Sequence, residues 1–387
     1  MMQLKKTVFI TGALSVGTFS AFYFAVPVLF PVTYYPLSDK VGVQTEMAST
    51  TLALPKIIVT HIQTPEPLKA VYMSACYASA PSLRAKLVHL IETTELNAVM
   101  IDVKDYSGTI AYRSVVPKLV QEKVAGCRVA DMQAFVATLH EKGIYVIARV
   151  TVFQDPLYTH AHPELAVKRK SDGGIWKDRK GLSFIDVSAK PYWEYVSALA
   201  QDAYAIGFDE INFDYIRFPS DGNMKDIAYP WTATTTKSVA LEKFFAYLEE
   251  EVKPSGAVIS ADLFGMTTTN TDDLNIGQVL EPALRHFDYV APMVYPSHYP
   301  PNFNGWANPN EHVYGVIKYS MDKAVARAKV ASTTPLKLRP WLQDFDYGGD
   351  YGAVEVRAQI QATYDSGLTS WMLWDPNNRY TPAALLK

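Results

Sequence analysis

Eight short runs rich in β-branched and aromatic residues, alternating with stretches of helical periodicity, constrain this chain more than any other feature of it. The runs are Ala70–Ser74, Ala98–Val103, Tyr145–Val150, Glu210–Tyr215, Val258–Leu263, Tyr289–Val294, Leu338–Leu342 and Ser370–Trp374. Between them the pattern predicts helices such as Ser82–Thr93, Asp131–Lys142, Tyr192–Ile206, Thr236–Glu251 and Val354–Ser366. Gly143, Gly207 and Gly367 each stand between a helix and the next strand, a normal helix stop. Strand–helix alternation implies a parallel sheet. Eight repeats imply that the sheet closes, which makes this an α/β chain of the (β/α)8, or TIM barrel, type. An open doubly wound sheet is the runner-up, but no Gly-x-Gly-x-x-Gly follows the first run to support it.

The chain of 387 residues is 49% apolar and 19% charged, ordinary for a folded protein with a large core. A net charge of -3 gives no reason to expect nucleic acid as a partner. Lys5 and Lys6 precede a span, Thr7 to Phe30, without a single charge. That length is close to the ~20 residues that cross a bilayer, longer than the apolar part of a cleaved signal peptide. Phe22, Tyr23, Phe24 and Phe30 crowd its end, and no clear Ala-x-Ala follows. We read residues 1–31 as a cytoplasmic tip and transmembrane signal anchor, with cleavage as the alternative; both export the remainder. Residues 32–67 read as a flexible linker and 68–387 as the barrel. Cys76 and Cys127 are the only cysteines. In an exported protein they either pair or stay as two buried thiols, and no Cys/His spacing suggests a zinc site.

Gly207-Phe-Asp-Glu-Ile-Asn-Phe-Asp-Tyr-Ile-Arg-Phe-Pro219 carries acids where a core strand should carry only aliphatics. Ile211, Phe213 and Tyr215 alternate with Glu210, Asn212 and Asp214, so one face is apolar and the other polar. A barrel strand that delivers a carboxylate into a central cleft fits that pattern. An ordinary surface strand would account for Glu210 but less well for Asn, Asp and Arg among large apolar residues.

This run, with Asn97-Ala-Val-Met-Ile-Asp-Val-Lys-Asp105, Lys142-Gly-Ile-Tyr-Val-Ile-Ala-Arg149 and Ser260-Ala-Asp-Leu-Phe-Gly265, resembles a glycoside hydrolase-like family once catalogued as a domain of unknown function, DUF4015. So do Ala291-Pro-Met-Val-Tyr-Pro-Ser-His-Tyr299 and Arg339-Pro-Trp-Leu-Gln-Asp-Phe345, all in the family's order between about Leu68 and Tyr380. The resemblance implies hydrolysis of glycosidic bonds in a polysaccharide. Related barrel glycosidases of the amylase and galactosidase type place an Asp nucleophile on the fourth strand. They often carry the acid as Glu on the fifth or Asp on the sixth, so Asp262 departs from that pattern.

Chemistry in such barrels sits at the C-terminal ends of the strands. Glycoside hydrolysis needs two carboxyl groups across the scissile bond. We expect Asp214 as nucleophile and Asp262 as general acid/base, on neighbouring strands. Around them we expect Asp102, Lys104, Arg149, Arg217, Tyr295, His298, Gln343, Asp344 and Trp374 to bind substrate. Strict alternation puts Lys104 on the same face as Asp102, and Asp262 with Ser260. Asp344 or Asp102 are the alternatives for the acid, and an Asp102–Lys104 ion pair is the structural alternative at the barrel mouth. Arg149 and Arg217 are expected to orient the carboxylates, and ion pairing alone accounts for them equally well. Core packing competes with sugar stacking for Trp374. His140 and Asp288 read as structural. The loops 154–191, with Trp176, Asp178 and Arg179, and 297–312, with Trp306, are expected to wall the cleft. No cofactor and no metal are expected. Two other readings stay open: a barrel that binds glycan without cleaving it, and a metal-dependent hydrolase using Asp102, Asp214 and Asp262.

Overall fold

The computed structural model describes residues 59–121 and 126–387. Eight parallel strands form a closed barrel in sequence order: β1 (Lys69–Met73), β2 (Ala98–Lys104), β3 (Tyr145–Thr151), β4 (Glu210–Asp214), β5 (Val258–Phe264), β6 (Tyr289–Met293), β7 (Trp341–Gln343) and β8 (Trp371–Trp374). Helices Pro81–Glu92, Met132–Glu141, Lys190–Ala205, Lys237–Val252 and Ala353–Asp365 lie where periodicity predicts them, within a residue or two. Gly143, Gly207 and Gly367 all have positive φ, as helix stops require.

Alternation along the strands separates two cores. Val71, Val99, Ile101, Val146, Ala148, Ile211, Phe213, Ile259 and Leu373 point outward and pack with the helices. Ala70, Tyr72, Ala98, Met100, Tyr145, Ile147, Trp341 and Met372 fill the barrel itself. Strand β7 starts three residues later than expected. Pro340 has no N–H for a ladder, so the β6–β7 seam keeps only the Met293–Trp341 rung and an isolated Val290–Leu338 bridge.

The inward side chains of β4 set three polar layers. At the floor, Glu210 accepts from Arg339 at 2.9 Å and from the Tyr145 hydroxyl at 3.1 Å. Halfway up, the Asn212 amide donates to Ser260 Oγ at 3.1 Å and Asp262 Oδ1 at 2.9 Å. At the top stands Asp214. Asp288 donates nothing to this stack: its carboxylate takes the Ile259 N–H and Lys253 at the barrel floor.

Residues 59–67, expected to end a linker, lie against that floor. Ile62 N–H donates to Asp209 Oδ1 at 2.8 Å, and Thr64 hydrogen-bonds the Tyr145 hydroxyl at 2.9 Å. His140 faces the other Asp209 oxygen at 2.9 Å, so this histidine pairs with an acid and does not merely cap its helix. Residues 1–31, expected as the anchor, lie outside the described residues. Among the described residues no helix is long and apolar enough to cross a membrane.

Cys76 and Cys127 form a disulfide with Cα atoms 4.9 Å apart, tying the segment after β1 to the loop after β2. The bond joins residues 51 apart, for which chain entropy gives about 4 kcal/mol of stabilisation. A Cys76→Ser, Cys127→Ser double variant is therefore expected to unfold at clearly lower denaturant, by roughly 3–4 kcal/mol. An unchanged midpoint would mean that the bond does not form.

Candidate active site

The cleft at the C-terminal ends of the strands has a volume of about 350 Å³. Asp214, Asp262, Arg217, Tyr295, His298 and Trp374 line it, together with Tyr215, Phe264, Gly265, Met266, Met293 and Tyr299. Six of the eleven residues expected in the site thus border one cavity. The register pairs Asn212 with Ser260 and Phe213 with Ala261. The next rung sets Asp214 beside Asp262, on strands that lie about 4.8 Å apart.

The two carboxyl groups meet opposite surroundings. Asp214 accepts two hydrogen bonds at Oδ2 from the Arg149 guanidinium, at 2.5 and 3.1 Å, and one at Oδ1 from the Tyr215 N–H at 2.6 Å. The same arginine donates to Asp102 at 2.6 Å, whose second oxygen takes the Tyr72 hydroxyl at 2.5 Å. Among the described residues no cation stands against Asp262. Its Oδ1 accepts from the Trp341 indole at 2.8 Å and from Asn212 at 2.9 Å, and its Oδ2 has no protein partner among the described residues. Burial pushes the Asp262 carboxyl well above the usual carboxylate range, and the charge of Asp214 pushes the same way against Arg149.

The backbone marks the same place. Tyr215, directly after Asp214, has φ of 51°, a left-handed conformation uncommon for an aromatic residue. That turn brings its N–H onto Asp214 and carries the chain to Arg217. Across the cleft, a Cβ on Gly265 would stand 2.4 Å from the Met293 carbonyl oxygen and 2.8 Å from the Tyr299 hydroxyl. Only glycine lets these two walls meet.

The remaining expectations divide. Asp102 and Arg149 sit behind Asp214 as a supporting layer and do not line the cleft. Arg149 lies between Asp102 and Asp214, where a bridging ion would need to be, which removes the arrangement a metal-dependent reading requires. Lys104 is not a site residue. A bulge places Asp102 opposite Arg149 and Lys104 opposite Val150, so one extra residue turns the lysine to the outer layer. There it pairs with Asp155 at 2.9 Å and donates to the Thr151 carbonyl at 2.6 Å, leaving no Asp102–Lys104 pair.

Gln343 is also displaced from the cleft: its Oε1 accepts from Ser297 Oγ at 2.9 Å and so holds the loop that carries His298. Asp344 faces the C-terminal segment, where Thr381 donates through N–H at 3.0 Å and hydroxyl at 2.6 Å. Burial raises its carboxyl to about 7 despite those donors, yet it does not reach the cavity. Trp374 does two jobs. It stacks on Tyr72 with centroids 4.0 Å apart, lies 5.0 Å from the Arg149 guanidinium, and still borders the cleft.

The long loops contribute differently from expectation. Trp176 is buried in a small core with Val167, Phe184 and Ile227, and the Asp178 carboxylate caps its own turn at Lys180 and Leu182. Trp306 stacks on His312 away from the cavity, while His298 and Tyr299 supply that wall. Sequence reasoning passed over Tyr72, Asn212 and Trp341 as partners of the acids. A buried indole or amide must place its N–H groups somewhere, but alternation does not say on which oxygen.

Comparison with solved structures supports the architecture. The glycoside hydrolase domain of PgaB (BpsB) from Bordetella bronchiseptica is 16% identical with a TM-score of 0.57, covering 80% of this chain and 94% of that one. The chitobiase of Flavobacterium johnsoniae is 14% identical with a TM-score of 0.51, covering 81% of this chain and 45% of that one. At such identities the likeness is one of fold. A hypothetical protein from Ruminiclostridium thermocellum is 31% identical over 53% of this chain and 98% of its own, with a TM-score of 0.45. No curated protein matches the chain. The family model described as "Putative glycosyl hydrolase domain" matches residues 70–380, from the first barrel strand to past the last, and the chain belongs to that family, DUF4015.

Proposed function

We propose that the protein cleaves glycosidic bonds of an extracytoplasmic polysaccharide, of cell wall or capsule, with Asp214 as nucleophile and Asp262 as general acid/base. One observation carries this reading: two carboxyl groups side by side on neighbouring strands border one cleft, one clamped by a guanidinium and the other buried with no cation against it among the described residues. A carboxylate held and aimed by a guanidinium suits a nucleophile, and a carboxyl that burial pushes up suits a general acid. Protonated Asp262 gives its proton to the leaving oxygen while Asp214 attacks the anomeric carbon, forming a glycosyl–enzyme ester. Asp262, now a carboxylate, then takes a proton from the water that breaks that ester. Strand spacing of about 4.8 Å is on the scale of the ~5–5.5 Å between carboxyl groups that retention uses. Tyr295, His298 and Trp374 offer rings and polar edges to the sugar.

The uncharged N-terminal span and the Cys76–Cys127 bond support placing the barrel outside the cytoplasm, held by a membrane anchor. A second reading, a barrel that binds glycan without cleaving it, has its own observation. Both oxygens of Asp214 are already engaged, by Arg149 and by the Tyr215 N–H.

Release of new reducing ends from a panel of wall and capsular glycans separates the two readings. Cleavage is expected, with an alkaline limb placed by Asp262. Because the group acts as an acid, activity falls as rising pH removes its proton. That midpoint should lie above the ordinary carboxylate range, since burial raises the group. Glycan binding with no new reducing ends at any pH would favour the non-catalytic barrel.

A further inference from the structure

Arg217 is the one Lys or Arg among the described residues lining the cleft, and among those residues its charge has no counter-ion. It is only 8% exposed, and among the described residues no carboxylate oxygen comes within 4.0 Å of its guanidinium. One N–H group, on Nη1, donates to the Phe218 carbonyl at 3.0 Å; the others have no protein acceptor among the described residues. The guanidinium is held instead by rings, with Tyr215 and Phe264 centroids each 5.0 Å away and Phe184 at 5.7 Å. Arg149, equally buried, is satisfied by two acids. The contrast between the two arginines is what calls for a ligand.

An unpaired buried guanidinium is costly, because water is lost and no opposite charge replaces it. Burial pulls the group below its ordinary value; Tyr215, Asp214, Asp221 and Asp178 push the other way without pairing with it. Cation–π contacts recover part of the cost and fix the plane of the fork. A planar fork with free N–H groups, rigid in a cleft, matches a carboxylate bidentately. A neutral sugar hydroxyl would leave the charge uncompensated.

We propose that Arg217 is a subsite for a sugar carboxylate, so that the substrate carries an acidic residue, a uronate or a lactyl-substituted amino sugar, next to the scissile bond. This rests on the glycoside hydrolase reading for the phrase "scissile bond", but the subsite itself requires only binding. Asp214 and Asp262 also line the cleft, and among the described residues Arg217 is the one cation there to receive an anion.

The test is binding by the full chain of two acidic sugars, glucuronate and N-acetylmuramate, against their neutral counterparts, glucose and N-acetylglucosamine. A charge-assisted contact should favour at least one acid over its neutral partner by roughly tenfold. Which acid wins tells the uronate source from the lactyl source. In Arg217→Gln the preference should vanish, and in Arg217→Lys, a point charge without the fork, it should shrink. The lysine variant also covers the case in which glutamine does not fold. Equal affinity for acidic and neutral sugars overturns the proposal, as does an acid preference that survives in Arg217→Gln. No detectable binding of either acid overturns it as well. Failure of the hydrolase reading looks different: the acid preference persists with Arg217, but no glycan is cleaved.

Discussion

Asp214→Asn is expected to abolish turnover, by a factor on the order of 10⁴ or more, while the protein stays folded and still binds glycan. The electrostatics explain why folding should survive. Arg149 is shared by Asp102 and Asp214, so neutralising one acid leaves the arginine paired with the other. An isosteric amide can still accept from Arg149 through its oxygen. What disappears is the nucleophile. Asp262→Asn should behave differently, with a loss of roughly 10²–10⁴, the worth of a general acid. That loss should be smaller for substrates whose leaving group departs without a proton. In Asp214→Ala, where the carboxylate's place is left vacant, an added small anion such as azide should restore some turnover. Measuring kcat and KM for both variants on natural and aryl glycosides checks the assignment. An unfolded Asp214→Asn would make the acid a structural partner of Arg149. A folded and active one would place the nucleophile elsewhere.

The fold was legible because its two periods are strong. Outward residues such as Ile211 and Phe213 alternate with inward Glu210, Asn212 and Asp214, and that pattern recurs on strand after strand. The Asp214–Asp262 pairing was legible for the same reason: two inward acids near the ends of adjacent strands must be neighbours. What alternation cannot show is where it breaks. The bulge after Asp102 inserts one residue, and Lys104 moves from the barrel mouth to the helix layer. Gln343 and Asp344 failed for a related reason. The strand end is a good address for a site, but these side chains are spent on holding the 297–299 loop and the C-terminal segment. Arg149 and Arg217 have the same chemistry in the sequence and opposite situations in the fold. One is enclosed by acids and the other by rings, and only three-dimensional neighbours distinguish them.

The largest effect on stability is expected at Arg149. In Arg149→Met the carboxyl groups of Asp102 and Asp214 stay buried at the barrel mouth without the charge that stands between them. Removing one partner of a buried ionic cluster costs about 3–5 kcal/mol, because it leaves uncompensated charge in place. The cost should shrink as pH falls, since protonation neutralises the stranded carboxylates; the sign is that of acids whose charged form has become unfavourable in the folded state. Asp102→Asn and Asp214→Asn introduced together with Arg149→Met should return much of the stability, since a cluster with no charges has none to compensate. Denaturant midpoints for the single and triple variants, taken at neutral and acid pH, decide the matter. A single variant within about 1 kcal/mol of the native chain would mean that water already reaches and screens the cluster. Arg149 would then be a solvated neighbour of the acids and not the brace that holds and aims Asp214.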